Sequence, residues 1–229
     1  MHRFQIEDIS GNFNIVQKRI FCIVINYPHS NGLIMNAQNK FFVVAIGFSA
    51  GGRQDLYQFF SYLPKIPNAA FIVLHHLNRD YPSVADKLLA EHTNLSVCWA
   101  MDKMLIKPNH IYMLAPNKMM TIKDNYLSTY DRDPLDKSNW AVDIFFNSMA
   151  ENNEGKGVGV ILSGLGSDGS RGAVHIHKFG GFVLVQDPET AMFEGMPLST
   201  IIRDNPDEIL SPRKLALALG DYLSITNLS

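Results

Sequence analysis

Apolar residues in this chain gather into short, nearly unbroken runs, and the runs alternate regularly with amphipathic stretches only after residue 40. Phe42 to Ile46, Ala70 to Leu74, Ile111 to Leu114, Val158 to Leu162 and Phe182 to Val185 are short and rich in β-forming side chains. A strand with one wet face alternates apolar and polar residues, whereas a strand buried on both faces of a parallel sheet reads as a continuous apolar run. These five runs are therefore expected to be parallel strands.

The intervening stretches carry the helical period. Leu56, Phe59, Phe60 and Leu63 recur at i, i+3, i+4 and i+7, and Val142, Phe145, Phe146 and Met149 repeat that spacing behind Ser138, a candidate N-cap. Ser211 followed by Pro212 is a strong helix start, and Leu215, Leu217 and Leu219 follow it. Strands alternating with helices predict a doubly wound, mainly parallel α/β sheet with helices on both faces. One interruption differs: Met120 to Ile122 and Leu127 to Thr129 flank the polar turn formers Lys123-Asp124-Asn125-Tyr126, which predicts a small antiparallel hairpin.

Residues 1–39 are rich in Asn, Ser and isolated charges and sustain neither period, so they read as a poorly ordered extension before a catalytic domain over 40–224. The feature that opposes this is the apolar run Ile20 to Ile25, which could add an edge strand.

Composition narrows the function. With 229 residues, 46% hydrophobic and 18% charged, the chain suits one globular domain with a sizeable core. Its 20 basic and 22 acidic side chains are interspersed and the net charge is −2, so no basic stripe advertises nucleic acid as a partner. Ile20 to Ile25 is too short to span a bilayer, which argues against direct membrane insertion, and no secretory signal pattern opens the chain. Cys22 and Cys98 stand far apart, as in a reducing compartment, and the expected location is the cytoplasm.

The first chemical motif is Gly47-Phe48-Ser49-Ala50-Gly51, between a predicted strand and an amphipathic helix. That is the context of a nucleophile elbow, where glycines relieve crowding and a serine projects from a tight turn. The backbone N–H groups that open the next helix could stabilise an oxyanion. The plainer reading makes Ser49 a helix cap and Gly51-Gly52 a packing device. A serine hydroxyl needs a base and an orienting carboxylate to act as a nucleophile, so the partners decide.

His75-His76 closes the strand run Phe71 to Leu74, which brings it to the carboxyl edge where Ser49 emerges. Successive strand side chains point oppositely, so only one of the two can face Ser49, and alternation alone does not choose. A metal reading of His75, His76, His175 and His177 lacks both an HExxH spacing and a carboxylate partner. The run Val158 to Leu162 ends in Ser163-Gly164-Leu165-Gly166-Ser167-Asp168-Gly169, where Asp168 is the natural orienter or, more simply, a helix cap. Gly164-x-Gly166-x-x-Gly169 with the later Asp187 also matches a dinucleotide fingerprint, but it comes late in the chain and leaves Ser49 and the histidines unexplained. Serine, histidine and aspartate at separate strand ends fit a triad, and their order in the chain differs from the Ser, Asp, His order of α/β-hydrolases.

Over residues 41–223 the chain resembles the CheB-type protein-glutamate methylesterases of bacterial chemotaxis. The resemblance rests on the Ser49 segment, Val73-Leu74-His75-His76-Leu77, Lys107-Pro108-Asn109-His110-Ile111-Tyr112, Gly159 through Gly169, and Gly195-Met196-Pro197, in the family's order. It implies a catalytic triad of Ser49, His76 and Asp168, with His75 where the family has glutamine. It also implies an oxyanion or substrate pocket around Ala50, Gly51, Leu165 and Met196, no metal and no cofactor. The substrate would be a methylated chemoreceptor or other methylated protein, demethylated at glutamyl methyl esters and in some members deamidated at glutamine. Ala50 stands where threonine is common and Leu165 where the family has a methionine, so contacts at the oxyanion differ in detail. The residues before Phe41 are too few for the receiver domain that usually precedes this module. The phrases Ser49-Ala50-Gly51-Gly52 and Val185 through Ala191 resemble the esterase modules of fused methylesterase and methyltransferase proteins. A separate methyltransferase or receiver-domain protein is therefore an expected partner. The competing expectations are a catalytically silent regulatory module of the same fold and a nucleotide-binding α/β protein.

Overall fold

The computed structural model describes residues 41–65, 68–75, 84–133, 135, 138–153 and 155–226; the expected extension and His76 lie outside the described residues. The chain opens with β1 (Phe42–Phe48), α1 (Gly52–Tyr62) and β2 (Ala69–His75), followed by α2 (Ala85–Ala90), β3 (Ser96–Trp99), β4 (Met104–Leu105) and β5 (His110–Met113). It continues with β6 (Lys118–Lys123), β7 (Tyr126–Asp131), α3 (Ala141–Asn152), β8 (Gly157–Ile161), α4 (Ser170–Lys178) and β9 (Phe182–Gln186). It closes with α5 (Gly195–Arg203), β10 (Glu208–Leu210) and α6 (Pro212–Thr226).

Seven strands form one sheet in the order β10-β9-β8-β1-β2-β5-β3, and every pairing in it is parallel. The expected doubly wound α/β architecture is present, with β1 in the middle between β2 and β8. The order of the elements places the ends of β8, β1 and β2 side by side at one edge, where a parallel sheet presents its loops.

Both faces of the sheet are dry, which explains the continuous apolar runs. Val43, Ala45, Ala70, Ile72 and Leu74 point into a core shared with Val142, Phe145, Phe146 and Met149 of α3 and Ala173 and Ile176 of α4. Phe42, Val44, Ile46, Phe48, Phe71 and Val73 point the other way, onto Leu56, Phe59 and Phe60 of α1 and Leu215, Leu219 and Leu223 of α6. Phe59, Phe71, Phe145 and Phe146 are among the largest fully buried side chains, each stabilising by about 1.5–3 kcal/mol relative to exposure. Leu217, between Leu215 and Leu219 on α6, faces solvent, because a helix buries i and i+4 and turns i+2 outward.

The hairpin forms where it is expected. β6 and β7 pair antiparallel with Lys123 opposite Tyr126, and the two turn residues Asp124 and Asn125 have φ of 50° and 65°. Two consecutive left-handed residues make the tight turn whose twist suits a hairpin, and Asp and Asn tolerate that conformation. β4 adds to β7, so the antiparallel sheet has three strands. One expectation is corrected: Ser138 does not cap α3, which starts at Ala141 with no side-chain cap from its own flanking residue. Asn139 Oδ1 accepts from Ala141 N–H at 3.3 Å, and the next two amides are met from elsewhere.

Candidate active site

Ser49 follows the last residue of β1, and the turn into α1 runs through Gly51 at φ 78°, a left-handed conformation that favours glycine. The turn presses against the loop that leaves β8. Ser49 N–H donates to the Ser163 carbonyl at 3.0 Å, and a Cβ on Gly52 would stand only 2.6 Å from that same carbonyl oxygen. A Cβ on Gly164 would come within 3.0 Å of Ser49 Cβ and would collide with the Met196 sulfur. Glycine at 52 and 164 is thus required by close approach of two loops.

A third loop locks onto these two. Ser163 N–H donates to Gln186 Oε1 at 2.8 Å, and Gln186 Nε2 donates to the Thr190 carbonyl at 3.1 Å. Ser163 Oγ accepts from Phe193 N–H at 3.0 Å, Gly164 N–H donates to the Phe193 carbonyl at 2.9 Å, and Met196 N–H donates to the Gly164 carbonyl at 2.8 Å. Backbone held this way costs nothing to order when a substrate arrives.

The expected pocket residues divide by exposure. Ala50 and Gly51 sit at the head of α1, half-buried; Leu165 is exposed on the β8 loop; and Met196 is fully buried, filling the space beside Gly164. Met192 and Phe193 add exposed apolar surface nearby in sequence to Met196. A pocket of about 270 Å³ opens along the same loop, lined by Asn139, Trp140, Leu165, Gly166 and Asp168 among others, with the Arg171 guanidinium 5.0 Å from the Trp140 ring centre.

Asp168 is 3% exposed, and both of its oxygens are engaged by the start of α3: Oδ2 accepts from Val142 N–H at 2.9 Å and Oδ1 from Asp143 N–H at 2.8 Å. This is the cap that Ser138 does not supply. A carboxylate against a helix N-terminus is stabilised by unpaired amides and by the helix dipole. Asp143 answers in kind: its Oδ1 accepts from Arg171 N–H at 3.0 Å and Gly172 N–H at 2.8 Å, at the start of α4. Burial pushes the Asp143 carboxyl above its ordinary value, the Gly172 amide pulls it back, and the Asp168 charge pushes it up again.

His75 is buried on the α1 and α6 side of the sheet, its ring 5.5 Å from Phe48 and 6.4 Å from Trp99 between centres. The other histidines in the described residues are engaged elsewhere. His175 reaches Glu151 at 3.3 Å, His177 is held by Asp204 at 2.9 Å and Asp207 at 2.8 Å, His92 stacks on Tyr57, and His110 Nδ1 bonds the Pro108 carbonyl. The glycine fingerprint has local causes as well: Gly164 meets Met196 and Ser49, and Gly166 and Gly169 adopt φ of 86° and 93°. Asp187 caps the short turn Pro188–Thr190 by accepting from Glu189 N–H.

Asp143, Ser163 and Gln186 are the contributors that sequence reasoning passed over. An acid in the first turn of a helix is ordinary, so Asp143 carried no local signal. Ser163 and Gln186 close on partners more than twenty residues away.

The sequence pattern described as CheB methylesterase matches residues 44–219. The chain is 36% identical, over 136 residues, to an uncharacterized 104.1 kDa protein of Rhodobacter capsulatus, covering 59% of this chain and 14% of that protein. It is 32% identical, over 202 residues, to a protein-glutamate methylesterase/protein-glutamine glutaminase of Maricaulis maris, covering 85% of this chain and 49% of that one. The chain thus spans about half the length of that curated relative, or less for the first. Among solved structures, the Thermotoga maritima CheB methylesterase catalytic domain superposes with a TM-score of 0.71 at 29% identity, over 80% of this chain and 98% of that domain. With the pattern running from β1 into α6 and a solved catalytic domain sharing the fold, this chain belongs to the CheB methylesterase family.

Proposed function

We propose that the chain is a protein-glutamate methylesterase that hydrolyses glutamyl methyl esters on a methylated chemoreceptor through Ser49, His76 and Asp168. The observation that carries this reading is the side-by-side placement of β8, β1 and β2, which end in the Asp168 loop, in Ser49 and in the His75-His76 pair. Register supports the choice between the histidines. Phe48 pairs with His75 at the end of the β1–β2 ladder, and both side chains lie on the α1 and α6 side. His75 is thereby turned away from the side where Asp168 caps α3, so in this reading the role of base falls to the other member of the pair.

In this reading Ser49 Oγ attacks the ester carbonyl while His76 takes its proton. His76 then protonates the departing methanol, and water hydrolyses the glutamyl-enzyme by the same path in reverse. Asp168, fixed by two backbone amides, holds the imidazole and stabilises the imidazolium. The head of α1 at Ala50 and Gly51 stabilises the oxyanion, Leu165 lines the rim and Met196 supports the loop from beneath. A glutamine side chain fits the same steps with ammonia as the leaving group. A separate methyltransferase or receiver-domain protein would set the timing from outside.

The test is methanol release from a chemoreceptor signalling domain methylated in vitro. Wild type should turn it over, and Ser49→Ala and His76→Ala should each lose roughly 10³-fold or more, with the double variant little worse than either. A wild type that releases no methanol would make the chain a silent module of the same fold. Saturable NAD binding instead would favour a nucleotide-binding protein.

A further inference from the structure

The geometry points to Asp143 as a positioning residue that sets the orientation of Asp168 by tying the starts of α3 and α4 together. This inference rests on the proposed role of Asp168. Neither helix is capped by the side chain of its own N-cap residue, and Asn139 reaches only the first amide of α3, Ala141 N–H, at 3.3 Å. Each is capped by the carboxylate that belongs to the other. Asp168, on the loop entering α4, takes the Val142 and Asp143 amides of α3, and Asp143, in the first turn of α3, takes the Arg171 and Gly172 amides of α4.

The arrangement is a closed ring. Asp168 can keep both of its hydrogen bonds only while the start of α3 stays where it is, and that start is held against the Asp168 loop by the return bonds of Asp143. Four hydrogen bonds of 2.8–3.0 Å thereby fix one carboxylate in position and in plane. Asp143 itself is 5% exposed, and its Oδ2 is buried without a hydrogen-bond partner among the described residues. A half-satisfied buried carboxylate is costly, and a neighbouring Asp168 charge adds to the cost. The helices are also packed too closely for much slack, since a Cβ on Gly172 would overlap Phe146.

Removing the return bonds should let the start of α4 drift and turn Asp168 away from its imidazole. A misplacement of about 1 Å at a catalytic group can cost on the order of 10²-fold. Asp143→Ala should therefore lower kcat for methanol release by roughly 10- to 100-fold while KM moves less than about 3-fold. Asp143→Asn, whose amide oxygen can still accept both amides, should stay within about 3-fold of wild type. The discriminating variant is the combination with Asp168→Asn: if Asp143 acts through Asp168, adding Asp143→Ala to Asp168→Asn costs no more than about 2-fold further. Should the alanine variant not fold, Asp143→Ser, which leaves one short acceptor, is read in the same way at roughly 10-fold. Unchanged kcat in a folded alanine or serine variant, or losses that multiply with Asp168→Asn, would overturn the inference. A wild type without Ser49-dependent turnover sinks the proposed function and this inference together, so the two failures are told apart.

Discussion

The two ends of α4 answer the same electrostatic problem in different surroundings. Its N-terminal amides receive the Asp143 carboxylate, and its last turn carries His177, so each end has the charge that complements the helix dipole. At the N-terminal end the acceptor is buried and its donors are backbone amides, which cannot rotate away. At the C-terminal end the His177 ring is clamped by side chains, by buried Asp204 and by Asp207, about one-third exposed and itself anchored by the Val183 N–H at 2.7 Å. Burial alone would lower the His177 imidazole, but the hydrogen bonds to Asp207 and Asp204 outweigh it and hold its pKa above the ordinary value. The difference is that main-chain donors hold the Asp143 carboxylate directly, whereas they reach the His177 ring only through a second side chain.

The largest effect should separate the two ends by activity. On the role proposed for Asp168, whose loop leads into the N-terminal end of α4, Asp168→Asn should reduce methanol release by roughly 10²- to 10⁴-fold, since an orienting aspartate sets the tautomer and angle of its histidine. His177→Gln should change turnover by less than about 2-fold. Equal losses at the two ends would break the comparison.

A stability experiment sharpens it. Gly172→Ala forces a Cβ into Phe146 and should cost about 1–3 kcal/mol by overpacking, a drop in melting midpoint of roughly 2–10 °C. Gly180, just beyond the other end, has φ 77° and no neighbour nearer its Cβ position than 4.0 Å. Gly180→Ala should therefore cost only the left-handed strain of about 1–2 kcal/mol. A Gly172 variant as stable as wild type would mean that the helices can separate without penalty.

The pH dependence follows from the raised His177 value. An imidazole whose folded pKa lies above its unfolded value of about 6.5 stabilises fully below that pH and loses its contribution as pH rises through the folded pKa. Urea unfolding of wild type should show this decline above about pH 6.5, by no more than about 1 kcal/mol because the pair is partly solvated. His177→Gln should remove it. The smallest effect concerns salt: raising ionic strength from about 0.05 to 0.5 M should weaken the His177 contribution and leave Asp168-dependent turnover nearly unchanged.

How much of this was legible depended on the range of the interactions involved. β1, β2, β8 and β9, the hairpin, α1 and α6 announce themselves through local periodicity, because burial on one or two faces writes itself into consecutive residues. β3 and β10 do not: Ser96–Trp99 lies at a sheet edge with no fully buried residue, and three-residue β10 alternates too briefly to register. Ser49 and Asp168 stood out because glycines mark their tight turns. The capping of α3 was misread at Ser138 because the true cap arrives from residue 168, and a cap supplied across the fold leaves no trace beside the helix it serves. The same distance hid Asp143, whose partners follow it by 28 and 29 positions. Alternation alone could not give His75 a side of the sheet, which its packing on Phe48 does.

The central position of β1 has a consequence for the order of assembly. Val43 pairs with Ala70 on one side and with Gly157 on the other, so its first edge closes early in synthesis and its second only after most of the chain exists. At about 5–20 residues per second, a nascent chain would carry β1 with an open edge for several seconds. An unpaired central strand is a template for pairing with a neighbour, and long-range parallel pairing is intrinsically slow. Ser49 follows β1 at its seam with β8, so its surroundings stay incomplete for as long as that edge stands open.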